Sequence, residues 1–382
     1  MDELKKIDNQ LDKISKKLSF SILNPINVDK ERKKFFSKKE YNPQFKYKKP
    51  IKKIDNIKNS LLKINPPNSV VGNILKKIRD KYVLDIELIE NMGTSKFQNI
   101  SNKLYGKPDK TLIKKANKLI YLKINQEEPI YSTNEIIDKL NIAFVKYGFN
   151  WKVKRKNMIA SAAVKLQKKQ LLIKKNSKFS QNFLKRIIVH EIGTHIVRAE
   201  NGQNQPYKFF ARGLPGYLMT EEGLAVYNEE INNCLNNFIL KIYAGRVIAI
   251  NTAMNNSFIE TYSILRKYFT KNTAWRLTLR AKRGLIDTKQ NGALTKDIAY
   301  LKGYLQIKNY IKSSGDINNL YYGKIGLEHI KLLNDIPDLI QPNLLPMFRY
   351  IKYFKGHFSD LLNNIFFKEP IKKFNFKNLK FY

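Results

Sequence analysis

The chain has 382 residues, 43% of them apolar, which is enough for a well-buried core and too apolar for a disordered chain. A single cysteine, Cys234, excludes an internal disulfide and a CxxC metal knuckle, and it fits a reducing compartment. The formal net charge of +39 favours encounter with polyanions such as nucleic acid, acidic membranes or acidic protein tails, although part of the lysine excess matches the Lys-, Asn- and Ile-rich bias of AT-rich coding.

The N-terminus, MDELKKIDNQ, has acidic residues and no apolar h-region, so it reads as neither a secretory nor a transit peptide. No run reaches the ~20 apolar residues that span a bilayer. The expectation is a soluble cytoplasmic protein. Leu4, Ile7, Leu11, Ile14 and Leu18 are spaced by threes and fours, which predicts one amphipathic helix over residues 1–20. Residues 28–60 are basic and interleaved with Phe35, Phe36, Tyr41, Phe45 and Tyr47. This stretch reads as an extended segment packed on the domain, with a nucleic-acid arm as the other reading.

Helices are predicted near 69–91 and 109–124, punctuated by Gly93, Gly106 and Pro108, and over 134–147. Residues 162–166 and 171–173 predict a short hairpin. Ser180 is a candidate cap for a helix whose apolar face, Phe183, Leu184, Ile187 and Ile188, runs into His190. From about 220 onward nearly everything reads as helix, with breaks near Asn255, Gly284, Gly292, Gly315, Gly323 and Pro342.

The chain has four histidines, and two of them sit in one hexapeptide, His190-Glu191-Ile192-Gly193-Thr194-His195. The familiar zinc-peptidase motif is HExxH, with ligands at i and i+4 on one helical face. Here the spacing is i and i+5. On an ideal α-helix this puts the rings about 140° apart around the axis. A π-type turn near Gly193 would return them to one face. The plainer reading is an ordinary helix with one core and one surface histidine. Thr220-Glu221-Glu222-Gly223-Leu224-Ala225 then predicts a new helix, with Thr220 as its cap and Glu222 in its first turn. Glu221 would favour the helix N-terminus. His190, His195 and Glu222 together make the two-imidazole, one-carboxylate set of a catalytic zinc site. Glu191, beside the first histidine, is the candidate general base.

HEIGTH, followed by Gly213-Leu-Pro-Gly216 and Thr220-Glu-Glu-Gly-Leu-Ala225, resembles the QEGLA-motif proteins, which include the microtubule-associated tyrosine carboxypeptidases. Asn24-Pro-Ile-Asn27, Tyr41-Asn-Pro-Gln-Phe45, Leu104-Tyr-Gly-Lys-Pro-Asp109 and Arg280-Ala-Lys-Arg-Gly284 agree, so the resemblance covers roughly residues 20–350. Glu221 stands where many members have Gln. The resemblance implies zinc on His190, His195 and Glu222, Glu191 as the catalytic glutamate, and removal of a C-terminal tyrosine or other aromatic residue from an acidic tail such as that of α-tubulin. Tubulin or microtubules are then the expected partner, with no membrane.

A carboxypeptidase must also hold a free carboxylate, and Arg280, Lys282 and Arg283 are candidates at a predicted helix end. Ordinary charge complementarity at a helix C-terminus would place the same residues there. The expected fold class is α+β, a zincin-like metallopeptidase core with a small sheet, an active-site helix and a large helical remainder. Residues 1–60 pack on a domain of residues 61–382, which is helical over 61–150, carries the sheet and both motifs over 151–230, and is helical again over 231–382. Two other readings are a zinc endopeptidase and a basic, non-catalytic protein that grips microtubules or nucleic acid on a peptidase-like fold.

Overall fold

A computed structural model describes residues 2–18, 20–49, 54–125, 127–158 and 161–346. The helical reading of the chain beyond residue 346, including His357, lies outside the described residues.

In chain order the helices are α1 (Asp2–Ser15), α2 (Val28–Ser37), α3 (Ile54–Leu62), α4 (Val70–Glu90), α5 (Lys96–Tyr105), α6 (Lys110–Leu119), α7 (Thr133–Lys146), α8 (Gln181–Arg186), α9 (Val197–Gln203), α10 (Phe209–Arg212), α11 (Tyr217–Ile231), α12 (Asn237–Ala253), α13 (Phe258–Arg266), α14 (Lys271–Lys282) and α15 (Ala299–Lys312). A π-helix, Ile187–Ile196, joins α8 to α9. The strands are β1 (Pro129–Ser132), β2 (Lys152–Lys156), β3 (Ala162–Lys165), β4 (Gln170–Lys174) and β5 (Lys178–Ser180). The protein is α+β, mostly helical with small sheets. None of the described helices is long and apolar enough to cross a membrane.

The chain divides into two compact units. The first comprises Met1–Asn125, Arg198–Tyr227 and Leu235–Leu344. In it, α1 turns Leu11 and Ile14 onto Ile74, Leu75 and Ile78 of α4, as its stripe of threes and fours requires. Ser69 caps α4, its hydroxyl accepting from the Gly72 amide at 3.0 Å. A second apolar cluster gathers Leu112 and Ala116 of α6 with Val247, Ile250 and Leu277 of α12 and α14.

Residues 28–37, expected to be extended, form α2 instead. Asp29 and Glu31 lie in its first turn, where carboxylates favour a helix, and Phe35 and Phe36 follow on one side. Phe35 and Phe45 are buried against Phe258, Trp275 and Leu279, so the interleaved aromatics belong to a core. The buried Glu31 fixes this corner, accepting from Tyr41 at 2.5 Å and from the Gln44 amide at 2.9 Å.

In its described residues, the second unit is drawn mainly from the segments Gln126–Val197 and Asn228–Cys234. The expected hairpin is β3 and β4, antiparallel from Ala162↔Ile173 to Lys165↔Gln170. Strand β2, not anticipated, adds parallel to β4 and makes the order β2-β4-β3. Its sequence, Lys-Val-Lys-Arg-Lys, is mostly exposed, and charge on an edge strand discourages further pairing. Leu171 and Ile173 of β4 pack with Ile136, Leu140 and Phe144 of α7 and with Ile187, Ile188, Ile192 and Ile196 of the π-helix. The helix that carries both motif histidines is therefore seated on apolar side chains of its own unit.

Candidate metal centre

The Ser180 hydroxyl accepts from the Phe183 amide at 3.1 Å and starts α8, which passes without a break into the π-helix. The expected departure from α geometry is present, and it spans ten residues rather than one turn. Local chemistry supports the wider winding. Thr194 donates its hydroxyl to the Val189 carbonyl, five residues back, at 3.0 Å, and Asn228 donates to Thr194 Oγ1 at 2.8 Å. The result is a register in which i and i+5 are neighbours. The His190 and His195 rings lie 4.8 Å apart, centroid to centroid, and nearly perpendicular at 83°.

Glu222 is carried by α11, which begins at Tyr217. Thr220 is therefore not a cap but lies one turn inside, where its hydroxyl accepts from the Leu327 amide at 2.9 Å. Glu222 consequently sits in the second turn. Glu221 differs more from expectation. Instead of facing the helix end it is buried, paired with Arg198 and with Lys324 Nζ at 2.7 Å. Arg198 also donates to the carbonyls of Leu320, Gly323 and Ile325, so Glu221 and Arg198 tie α11 and α9 to residues 320–325.

The next residue, Gly223, meets Gly303 of α15 backbone to backbone. A Cβ on Gly223 would stand 2.2 Å from the Gly303 carbonyl carbon, and one on Gly303 would stand 1.9 Å from the Met219 oxygen. Only glycine permits this crossing. One ligand atom from each of His190, His195 and Glu222 lies within 4.8 Å of the others. Glu191 is half-buried beside His190.

A residue that the sequence reading passed over completes the first histidine's environment. Glu229 Oε1 lies 2.6 Å from His190 Nδ1, and Arg186 Nη2 lies 3.1 Å from the same oxygen. Burial works to raise the Glu229 carboxyl, but the Arg186 guanidinium and the His190 bond outweigh it and hold the carboxyl well below the ordinary carboxylate range. With Nδ1 engaged, Nε2 is the His190 nitrogen available to a cation. A carboxylate on the far nitrogen is the usual support of a ligating imidazole. Two imidazoles, one carboxylate and this support fit zinc by donor chemistry. Glu229 lies seven residues, two turns, after Glu222 on α11, and that spacing was the available signal.

The three basic candidates separate. Arg280 grips Asp297 with two donors, and Arg283 reaches Asp297 at 3.7 Å and Asn24 Oδ1 at 3.2 Å. Lys282 is fully buried and donates to the carbonyls of Ala253, Asn256 and Gln290 at 2.5–3.1 Å. An ammonium has three protons to donate, so Lys282 has none for a substrate, and its expected part in holding a carboxylate is corrected.

A family profile described as microtubule-associated tyrosine carboxypeptidase matches residues 33–364. The chain belongs to that family. Microtubule-associated tyrosine carboxypeptidase 1 of Mus musculus is 28% identical over 323 residues, covering 81% of this chain and 61% of the relative. The Rattus norvegicus protein of the same name is 26% identical over 327 residues, with 81% and 61% covered. For the Homo sapiens protein the figures are 26% over 296 residues, with 75% and 55% covered. This chain thus spans between half and two thirds of the length of these curated relatives.

In this member of the microtubule-associated tyrosine carboxypeptidase family, the outer stretches that carried the resemblance are architectural. In Tyr41-Asn-Pro-Gln-Phe45, Asn42 accepts from the Ile259 amide at 3.0 Å, the Pro43 carbonyl from the Thr288 hydroxyl at 2.7 Å, and Phe45 donates to the Ile286 carbonyl at 2.8 Å. Asp109 caps α6 by accepting from the Leu112 amide at 2.8 Å.

Proposed function

We propose that this chain is a zinc-dependent carboxypeptidase with a zincin-like centre, which removes a C-terminal tyrosine or other aromatic residue from an acidic protein tail. The observation that carries the proposal is the approach of His190, His195 and Glu222, the imidazoles brought side by side by a π-helix and one of them backed by Glu229. The family's name supplies the reaction class, and the relatives' names, which associate them with microtubules, point to tubulin as the tail. The working compartment on this reading is the cytoplasm.

Zinc on this donor set would polarise the scissile carbonyl and acidify a water toward neutral pH. The chain's own residues do the rest. Glu229 and Arg186 fix the His190 ring through Nδ1, so that Nε2 would be the nitrogen offered to the metal. Glu191 accepts the proton of the attacking water and delivers it to the departing amine nitrogen, a step that needs one carboxylate within reach of both. Arg280 and Arg283, already anchored on Asp297, add positive potential for an incoming acidic chain.

The test uses one acidic peptide ending in tyrosine, with a free or an amidated terminus, and mass spectrometry of the products. Release of tyrosine from the free acid alone, with about one zinc per chain by elemental analysis, is expected. The variant Glu191→Gln should keep its zinc and lose at least ~10²-fold in rate. Equal cleavage of both peptides would make the chain an endopeptidase. No zinc in freshly purified protein would remove the metal centre altogether.

A further inference from the structure

Near Glu222 the first unit holds more guanidinium groups than its carboxylates can pair. Arg246 of α12 lies over the ring of Tyr300, 3.9 Å from its centroid, and over Tyr243 at 5.2 Å. The two tyrosine rings are themselves stacked, 5.1 Å apart at 15°. The Arg246 Nε and Nη1 atoms are buried, and no hydrogen-bond acceptor reaches either among the described residues. The neighbouring acid, Asp297, is already shared by Arg280 and Arg283. A buried guanidinium donor with nothing to bind costs free energy that an ordinary core does not tolerate. The aromatic faces hold the fork flat and fixed without satisfying its hydrogens.

Its place follows from the glycine crossing. Gly223 of α11 touches Gly303 of α15. Tyr300 lies one turn before Gly303, and Glu222 is the residue beside Gly223. The platform that carries Arg246 is thus within about a helical turn of the Glu222 backbone. Electrostatics agree, since the Glu222 charge acts on Tyr300 and on Arg280.

We propose that Arg246, held on Tyr300 and Tyr243, receives the free terminal carboxylate of the peptide. The assignment rests on the carboxypeptidase reading above. Arg280 and Arg283 contribute field rather than the contact, because Asp297 occupies them, and Lys282 contributes neither. The Nε–H and Nη1–H lie on different edges of the guanidinium, and each lacks an acceptor among the described residues, which a carboxylate oxygen would supply. An amide at the same position would present an N–H toward a group that only donates.

Binding and turnover together test this. Full-length Glu191→Gln protein is titrated with a fluorescent acidic peptide ending in tyrosine, free or amidated, and its zinc content is measured. A preference for the free acid of ~10-fold or more is expected. Adding Arg246→Gln should bring the two affinities within about twofold of each other, leave zinc per chain unchanged, and leave Tm unchanged or raised, since a buried donor without an acceptor is removed. Arg246→Lys, a point charge without the planar guanidinium, should be intermediate, and it carries the test if Arg246→Gln fails to fold. A free-acid preference undiminished in the Arg246 variants overturns the assignment, as does equal binding of both peptides before Arg246 is changed. The carboxypeptidase reading fails separately, if zinc-loaded wild type releases no tyrosine while the binding preference stands.

Discussion

An imidazole that grips a cation through one nitrogen needs the other held, and on the reading proposed above Glu229 would hold Nδ1 of His190. Glu229→Gln can still accept a hydrogen bond but lacks the charge that makes the ring a better donor. Zinc affinity should fall ~10–100-fold, measured by competition with a chelator, while the circular dichroism spectrum stays native. Asp297 offers a stability test. Burial works to raise its carboxyl, but Arg280, Arg246 and Arg283 outweigh it and hold it well below the ordinary carboxylate range. A depressed carboxylate contributes stability that is present above its unfolded pKa, near ~3.9, and lost as pH falls below that. Asp297→Asn should therefore lower Tm at pH 7, and the gap to wild type should close as pH drops from 5 toward 2. A gap independent of pH would show that the loss is packing alone. The sequence singled out His190 and His195 because half of the chain's histidines fall in one hexapeptide. It did not point to Arg246, since only Tyr243 of its surroundings is local to α12, whereas Tyr300 and the arginines that occupy Asp297 come from α15 and from residues 280–283.

At the scale of elements, periodicity reads well and caps read in part. Ser180 caps the helix it announces, because a side-chain oxygen three residues before a free amide is a local event. The π-helix could be inferred from the i, i+5 pair, but not its length. That length depends on Thr194 finding Val189 and on Asn228, which lies 34 residues away. The start of α11 was misplaced because Thr220 has the chemistry of a cap but finds its partner in Leu327. Strand β2 was missed because its charges hide the alternation expected of a strand. The α11–α15 crossing yields a prediction. Gly223→Ala places a methyl 2.2 Å from backbone, so the helices must part. A loss of about 1–3 kcal/mol in denaturant unfolding is expected, with zinc per chain reduced because Glu222 moves with its helix. A Gly223→Ala protein with wild-type stability and zinc would show that the helices slide freely.

For the whole molecule the dominant quantity is charge. An excess of +39 attracts an acidic peptide before any contact forms, and salt screens that attraction over about 10 Å at 0.1 M. Turnover of an acidic, tyrosine-ended peptide at low concentration should therefore fall several-fold between about 50 and 300 mM salt, while a neutral peptide of equal length changes little. Equal salt responses would make the basic composition incidental to catalysis. The fold class was legible because amphipathic helices write their period locally. The two units were not, because each is assembled from segments far apart in sequence and contiguous domains are all that a linear reading can propose.

The ten-residue π-helix also bears on how such centres are recognised from text. A pattern search keyed to HExxH passes over HEIGTH, and an alignment that forces the two together must open a gap inside the motif. The gap has no counterpart as a bulging loop. Its extra residue is spread along a continuous helix, with Ile187, Ile188, Ile192 and Ile196 all still facing one core. Spacing between ligands is thus a property of helical winding as much as of residue count. Scans for metal-binding helices gain by admitting five-residue steps wherever small and β-branched residues, here Gly193 and Thr194, lie between the pair.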